Sequence, residues 1–174
     1  MQIDQKLTYN QDKITLLLSV TVPGEIILDA EKYAKEHNLV VKPDFHITLI
    51  GYATGQKIQE ILLDKTEQEK EDIIEKIQSI ANVFTWPYTL LFEYFYITKT
   101  YDSGEVRQSI IALVDLPDLE KFYKNLEGLI GCSFDIPFPH ITLYTQSTEI
   151  KNTYAGIGIY SEREFQTLLP KKIS

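Results

Sequence analysis

The spacing of apolar positions changes several times along the chain, and each change marks an element. Residues 14–22 are leucine-rich and β-branched, broken only by Thr15, Ser19 and Thr21, which predicts a buried strand. Pro23 ends it and can seat the first turn of a helix. Over residues 25–37, Ile26, Ile27, Ala30, Tyr33 and Ala34 form one stripe at helical spacing, and Asn38 is a reasonable stop. A second strand is expected after Pro43, over residues 45–51. A helical region follows, with one apolar patch at Ile58, Ile61 and Leu62 and another at Ile73, Ile74, Ile77, Ile80 and Ala81. The charged run 64–72 separates them, and Thr66-Glu67-Gln68-Glu69 reads as a capping box that restarts the helix. That acidic run reads first as a solvated helix face. An aromatic strand is expected over 88–97 and another strand over 107–115. A helix over 117–129 has Leu119, Phe122, Tyr123, Leu126 and Leu129 as its stripe and Gly131 as its end. Strands are predicted over 139–145 and 156–160. A short helix comes last, with Ser161 and Glu164 at capping-box spacing.

Part of this pattern repeats. His-Ile-Thr-Leu occurs at His46-Ile47-Thr48-Leu49 and again at His140-Ile141-Thr142-Leu143, and these copies use two of the three histidines in 174 residues. The offset is 94, the interval from 46 to 140, and it aligns more than the motif. Val20 falls on Val114, Pro23 on Pro117 and Pro43 on Pro137. Leu16-Leu17-Leu18 falls on Ile110-Ile111-Ala112, and Leu28 on Phe122. A duplicated strand–helix–strand unit is the simplest source of this coincidence.

Strand alternation gives each copy two faces. His46 and Thr48 point one way, while Ile47 and Leu49 point into the core; His140 and Thr142 stand against Ile141 and Leu143 in the same manner. Each motif therefore presents an imidazole beside a hydroxyl on a rigid support. If the two units pack about a pseudo-two-fold axis, the pairs face each other across a cleft. A phosphodiester fits there. Its non-bridging oxygens accept from Thr48 and Thr142, and its attacking and leaving oxygens lie near the two histidines as general base and general acid. A symmetric pair supplies both proton transfers without a metal. The nearest carboxylates, Asp44 and Asp135, are arranged differently in the two copies, so neither metal nor cofactor is expected. His37, near a helix end, reads as a favourable C-terminal charge.

Composition narrows the setting. The chain is 44% apolar, with 11 tyrosines, 8 phenylalanines and one tryptophan, so it can build a packed core. Its net charge of −8 argues against gripping long duplex nucleic acid, and leaves a nucleotide or short oligonucleotide open. The single cysteine, Cys132, excludes an intrachain disulfide and a Cys-rich zinc site. The polar start lacks the apolar run of a signal peptide, and no stretch is long enough to span a membrane. A cytoplasmic protein is the default expectation; protein partners are not identified.

The paired His-x-Thr-hydrophobic motifs on a duplicated α+β scaffold resemble the 2H phosphoesterase superfamily. That superfamily includes 2′,5′ RNA ligase-like proteins, 2′,3′-cyclic phosphodiesterases and phage enzymes that degrade cyclic oligonucleotide signals. The resemblance runs over about residues 14–160, and its specific part is the two tetrapeptides. It implies His46 and His140 as the acid/base pair, Thr48 and Thr142 as phosphate ligands, a two-lobed fold with a central cleft, and no required metal. The expected architecture is thus α+β. Duplicated strand–helix–strand units would form two pseudo-symmetric lobes with antiparallel sheets, in one domain. The N-terminal lobe would cover about 14–52, a helical insertion 54–82 and the C-terminal lobe 88–160. The expected activity is a metal-independent phosphodiesterase acting on a 2′,3′-cyclic, 2′,5′-linked or cyclic oligonucleotide phosphodiester. A non-catalytic module for nucleotides or RNA ends, and a scaffold acting through its acidic helices, are the other readings.

Tyr144 lies two residues beyond Thr142, where the first copy has Ile50, so alternation places it on the catalytic face as a candidate base- or ribose-stacking residue. The aromatic run with Tyr94, Phe95 and Tyr96 reads mostly as core or sheet surface. Arg107 can neutralise a phosphate or pair with a surface acid.

Overall fold

The computed structural model describes residues 6–173. Its elements in chain order are β1 (Lys6–Asn10), β2 (Thr15–Ser19), α1 (Gly24–Glu36), β3 (Val40–Val41), β4 (His46–Ile50), α2 (Tyr52–Leu62), α3 (Glu67–Val83), β5 (Thr89–Thr100), β6 (Val106–Asp115), α4 (Leu119–Ile130), β7 (His140–Ser147), α5 (Glu162–Thr167) and β8 (Lys171–Lys172), with one 3-10 turn at Ile150–Asn152. The fold is α+β. All strands join one antiparallel sheet of eight, in the order β1-β2-β4-β7-β6-β5-β8, with β3 also paired to β7.

Helices α1 to α4 pack on one face because their stripes match the sheet's apolar face. Ile26, Ala30 and Ala34 from α1, Ile58 and Leu62 from α2, Ile77 and Ala81 from α3, and Leu119, Phe122, Tyr123 and Leu126 from α4 join one core with Leu16, Leu18, Ile47 and Ile141. Thr66 and Glu69 form the predicted capping box that starts α3. Gly131, with φ 83°, ends α4 in the left-handed conformation that a side chain resists. On the opposite sheet face a smaller core gathers Ile97, Ile111, Leu113, Ile157, Ile159 and Phe165.

The two motif strands share an irregularity. β2 meets β4 through Ser19↔His46, Leu18↔Ile47, Leu17↔Thr48 and then Leu16↔Ile50. β6 meets β7 through Leu113↔His140, Ala112↔Ile141, Ile111↔Thr142 and then Ile110↔Tyr144. Each residue of the second set lies 94 positions beyond its counterpart in the first, the interval from His46 to His140. In both ladders one residue, Leu49 and then Leu143, faces no partner, which is a β-bulge. A bulge resets the alternation, so Ile47, Leu49 and Ile50 are all buried beneath the helices, and so are Ile141, Leu143 and Tyr144.

Two expectations need correction. Residues 156–160 form no ladder strand. They run as an extended strap across the second sheet face, with Ile157 and Ile159 in the smaller core. The strap's link to the chain before β7 is a bond from the Phe138 N–H to the Ile159 carbonyl at 3.2 Å. Its apolar residues found a sheet face to cover rather than a sheet edge to extend. Conversely, β1 was not anticipated in the polar N-terminal segment. Its Leu7 and Tyr9 alternate inward against the main core, opposite Leu18 and Leu16.

A carboxylate ties the far end of the sheet together. Glu105 accepts from Arg107 Nε at 2.7 Å and Nη2 at 3.1 Å, from Ser147 Oγ at 2.6 Å and from Asn152 Nδ2 at 2.9 Å. Hydrogen bonds from Arg107 and Ser147 hold its carboxyl down to about 2, from an ordinary value of 4.5. A depressed carboxylate contributes stability above its unfolded pKa and loses it as pH falls towards the folded one. Glu105→Gln should therefore lower the Tm at pH 7, and the deficit should shrink between pH 4.5 and about 2. Thermal melts of both proteins across that range check it; a deficit independent of pH refutes the linkage.

Candidate functional site

The sheet centre brings the repeated motifs together. β4 and β7 are adjacent and antiparallel, and Ile47 stands opposite Ile141. Continuing that register by one residue puts His46 opposite Thr142 and Thr48 opposite His140. All four side chains then share the face away from helices α1 to α4. Directly opposed Cβ atoms in such a pair lie about 5 Å apart, and diagonal ones about 7–8 Å. The histidines occupy one diagonal of a small patch and the threonines the other. Exposure is graded across it: His140 and Thr142 keep 8% and 9%, whereas the side chain of His46 keeps 25%.

The imidazoles are held differently. His140 Nδ1 lies 2.7 Å from the Phe138 carbonyl oxygen. A carbonyl only accepts, so Nδ1 is the donor in this bond. His46 Nδ1 instead faces Asp44, whose Oδ2 is 3.6 Å away, and it has no hydrogen-bond partner among the described residues. At that distance the contact is electrostatic. Asp44 and Phe138 each precede their histidine by two residues, so the same slot holds a carboxylate in one copy and a carbonyl in the other.

Both imidazoles sit below their ordinary pKa. For His46, burial is the main cause; the Lys42 cation adds to it and Asp44 opposes it. For His140, burial again dominates. The Phe138 and Ile157 carbonyls oppose it, and the charge of His46 lowers it further. A charge on His46 therefore opposes protonation of His140. If so, His46→Ala should raise the pKa of His140, read from the pH dependence of its ring proton resonances by NMR. An unchanged His140 titration would mean that the rings are not coupled.

Two further residues frame the patch, and neither was singled out in the sequence. Tyr160 closes the Thr48 side. A Cβ built on Gly51 would stand 3.5 Å from Thr48 Cγ2 and 3.8 Å from the Tyr160 ring, so the ring and the threonine both flank that glycine. Glu164 accepts the Tyr160 N–H at 2.6 Å and the Lys99 ammonium at 2.6 Å, and Lys99 lies 5.1 Å from the Tyr160 ring centre. On the other side the strap crosses Thr142; a Cβ on Gly156 would come within 3.1 Å of Thr142 Oγ1. The signal was Gly156-Ile157-Gly158-Ile159-Tyr160, whose alternation sends the isoleucines to the smaller core and leaves the glycines and tyrosine for the site. The second framing residue is Lys42. Its backbone N–H donates to the Leu143 carbonyl at 2.9 Å and its ammonium to the Tyr154 carbonyl at 3.1 Å.

Tyr144 is not on this face. The bulge at Leu143 turns it under α1, where it is 5% exposed and its hydroxyl donates to the Ile27 carbonyl at 3.0 Å. Strict alternation fails across an unpaired residue, and the substrate-stacking role expected for Tyr144 falls with it. Tyr144→Phe should cost about 1 kcal/mol of stability, the net worth of one such hydrogen bond. Ligand binding at the histidine patch should be unchanged, as denaturant melts and an NMR titration would show. Arg107 is likewise committed, to Glu105 and to the Tyr101 ring 4.6 Å away. His37 caps α1, with Nδ1 3.0 Å from the Tyr33 carbonyl and its ring stacked on Tyr33.

Among the described residues no three His, Cys, Asp or Glu side chains are grouped as metal ligands would be. None of the helices there is long and apolar enough to cross a membrane. A separate hollow of about 660 Å³ lies beside the N-terminus of α4, lined by Leu91, Ile136, Pro137 and Phe138 with Asp115, Glu120 and Glu162. Among the described residues its charged lining is all acidic, which suits an anionic ligand poorly. The chain matches no protein-family model, no curated protein and no solved structure.

Proposed function

We propose that this chain is a metal-independent phosphodiesterase of the 2H phosphoesterase kind, acting on a nucleotide or short RNA phosphodiester. The candidate bonds are 2′,3′-cyclic, 2′,5′-linked or part of a cyclic oligonucleotide. The carrying observation is the Ile47↔Ile141 register, which sets two imidazoles and two hydroxyls on alternate corners of one patch. On this reading β2-α1-β4 and β6-α4-β7 are duplicated halves about a pseudo-two-fold axis through that pair, and the patch lies in the cleft between two lobes. The 94-residue correspondence of both ladders, from His46 to His140, supports the duplication.

The chemistry follows from the corners. Thr48 and Thr142 donate to the non-bridging oxygens. One histidine, neutral, takes the proton of the attacking water or hydroxyl as the new P–O bond forms. The other, protonated, gives its proton to the leaving oxygen as the old P–O bond breaks. The pair ends with its proton on the opposite ring and re-equilibrates with solvent. Attack and departure lie in line, so a diagonal arrangement of base and acid is the useful one.

Incubation in EDTA with 2′,3′-cyclic mononucleotides, 2′,5′-linked dinucleotides and cyclic di- and trinucleotides should give a hydrolysed product identifiable by mass. His46→Ala and His140→Ala should each lower kcat/KM on the order of 10²–10⁴-fold with the fold intact. Full activity in either variant ends the assignment. Binding without product across the panel leaves a capture module instead. Both pKa values are lowered from 6.5, so the singly protonated pair becomes scarce above that pH. The kcat/KM profile should therefore be bell-shaped with its maximum below pH 6.5.

A further inference from the structure

We propose that Lys42 is the residue that neutralises the substrate phosphate at the His46/His140 patch. This rests on the phosphodiesterase reading and adds a substrate-contacting cation to it. The geometry is specific. Lys42 follows β3, and its backbone N–H is bonded to the carbonyl of Leu143, the bulged residue directly after Thr142. Its side chain reaches the Tyr154 carbonyl at 3.1 Å, two residues before the Gly156 that packs on Thr142. The ammonium is thereby held at the segment that leads into Gly156, and its charge is felt at His46.

Its charge is also uncommitted. The other cations around the site are each spent on a glutamate: Lys99 pairs with Glu164 at 2.6 Å and Arg107 with Glu105 at 2.7 Å. Among the described residues no carboxylate oxygen lies within ion-pair distance of Lys42; Asp44 acts on it only at longer range. In a chain of net charge −8, a partly buried lysine bonded only to a carbonyl is an unusual expense. A phosphodiester carries one negative charge, and a pentacoordinate transition state carries more. An ammonium close enough to act on His46 meets that extra charge, an interaction stronger in the transition state than in the ground state. The second copy has Ile136 at the matching position, 94 residues on as for His46 and His140, so the cation serves one side only.

Three variants separate charge from architecture. Lys42→Arg keeps the charge. Lys42→Gln keeps a donor for Tyr154 and loses the charge. Lys42→Met loses both. The first probe is inorganic phosphate, followed through the His46 ring resonances. The wild type and Lys42→Arg should show a saturable shift, and Lys42→Gln and Lys42→Met should bind at least tenfold more weakly. The second probe is hydrolysis of whichever substrate of the panel is turned over. Lys42→Gln should lose on the order of 10²-fold in kcat/KM, more through kcat than KM, and Lys42→Arg should recover most of it. Lys42→Gln matching the wild type in phosphate binding overturns the proposal, as does a wild-type His46 that does not respond to phosphate. A Tm loss in Lys42→Met alone marks a tether of the strap and nothing more. Full activity of His46→Ala removes the enzymatic reading by itself, while the phosphate titration still judges Lys42.

Discussion

One backbone contact makes the site possible: Ile47 of β4 stands opposite Ile141 of β7 at the centre of the sheet. Both isoleucines are fully buried under the helices. Their burial commits the flanking histidines and threonines to the opposite face, because neighbours along a strand point in opposite directions. A slip of one residue between these strands would send a motif's polar pair into the core, at the cost of stranding a buried imidazole and hydroxyl. The apolar half of each tetrapeptide thus fixes the position of its polar half.

The bulges after Thr48 and Thr142 then divide the work along each strand. Before the bulge, alternation supplies the face that carries the polar pair. At and after it, two consecutive residues turn inward, so each motif strand delivers extra apolar surface to the main core without lengthening. Leu49 with Ile50, and Leu143 with Tyr144, are those residues. This is why the tyrosine that looked like a substrate platform became a core residue tied to α1. The aromatic ring that flanks Gly51 with Thr48 is Tyr160, carried across the sheet by a strap whose isoleucines are anchored in the smaller core.

The two copies are alike in backbone and unlike in surroundings. One histidine is steered by the Phe138 carbonyl and deeply buried; the other faces Asp44, feels Lys42 and is more open. Equal rings in unequal environments are what a reaction with distinct donor and acceptor steps calls for. The proposed roles rest on that difference as much as on the repeat.

Much of this was legible in the chain. Apolar periodicity placed α1, α3, α4 and the strands around them, and the repeated His-Ile-Thr-Leu named the four residues that meet at the sheet centre. Those signals are local, and local propensity and alternation dictate them. The unpaired residues in the ladders, the covering role of the strap, the edge strand β1, and the approach of Lys42 and Tyr160 were decided only by tertiary structure. Each depends on which backbone lies opposite or above, over separations such as Lys42 to Tyr154, and no window of sequence contains that information.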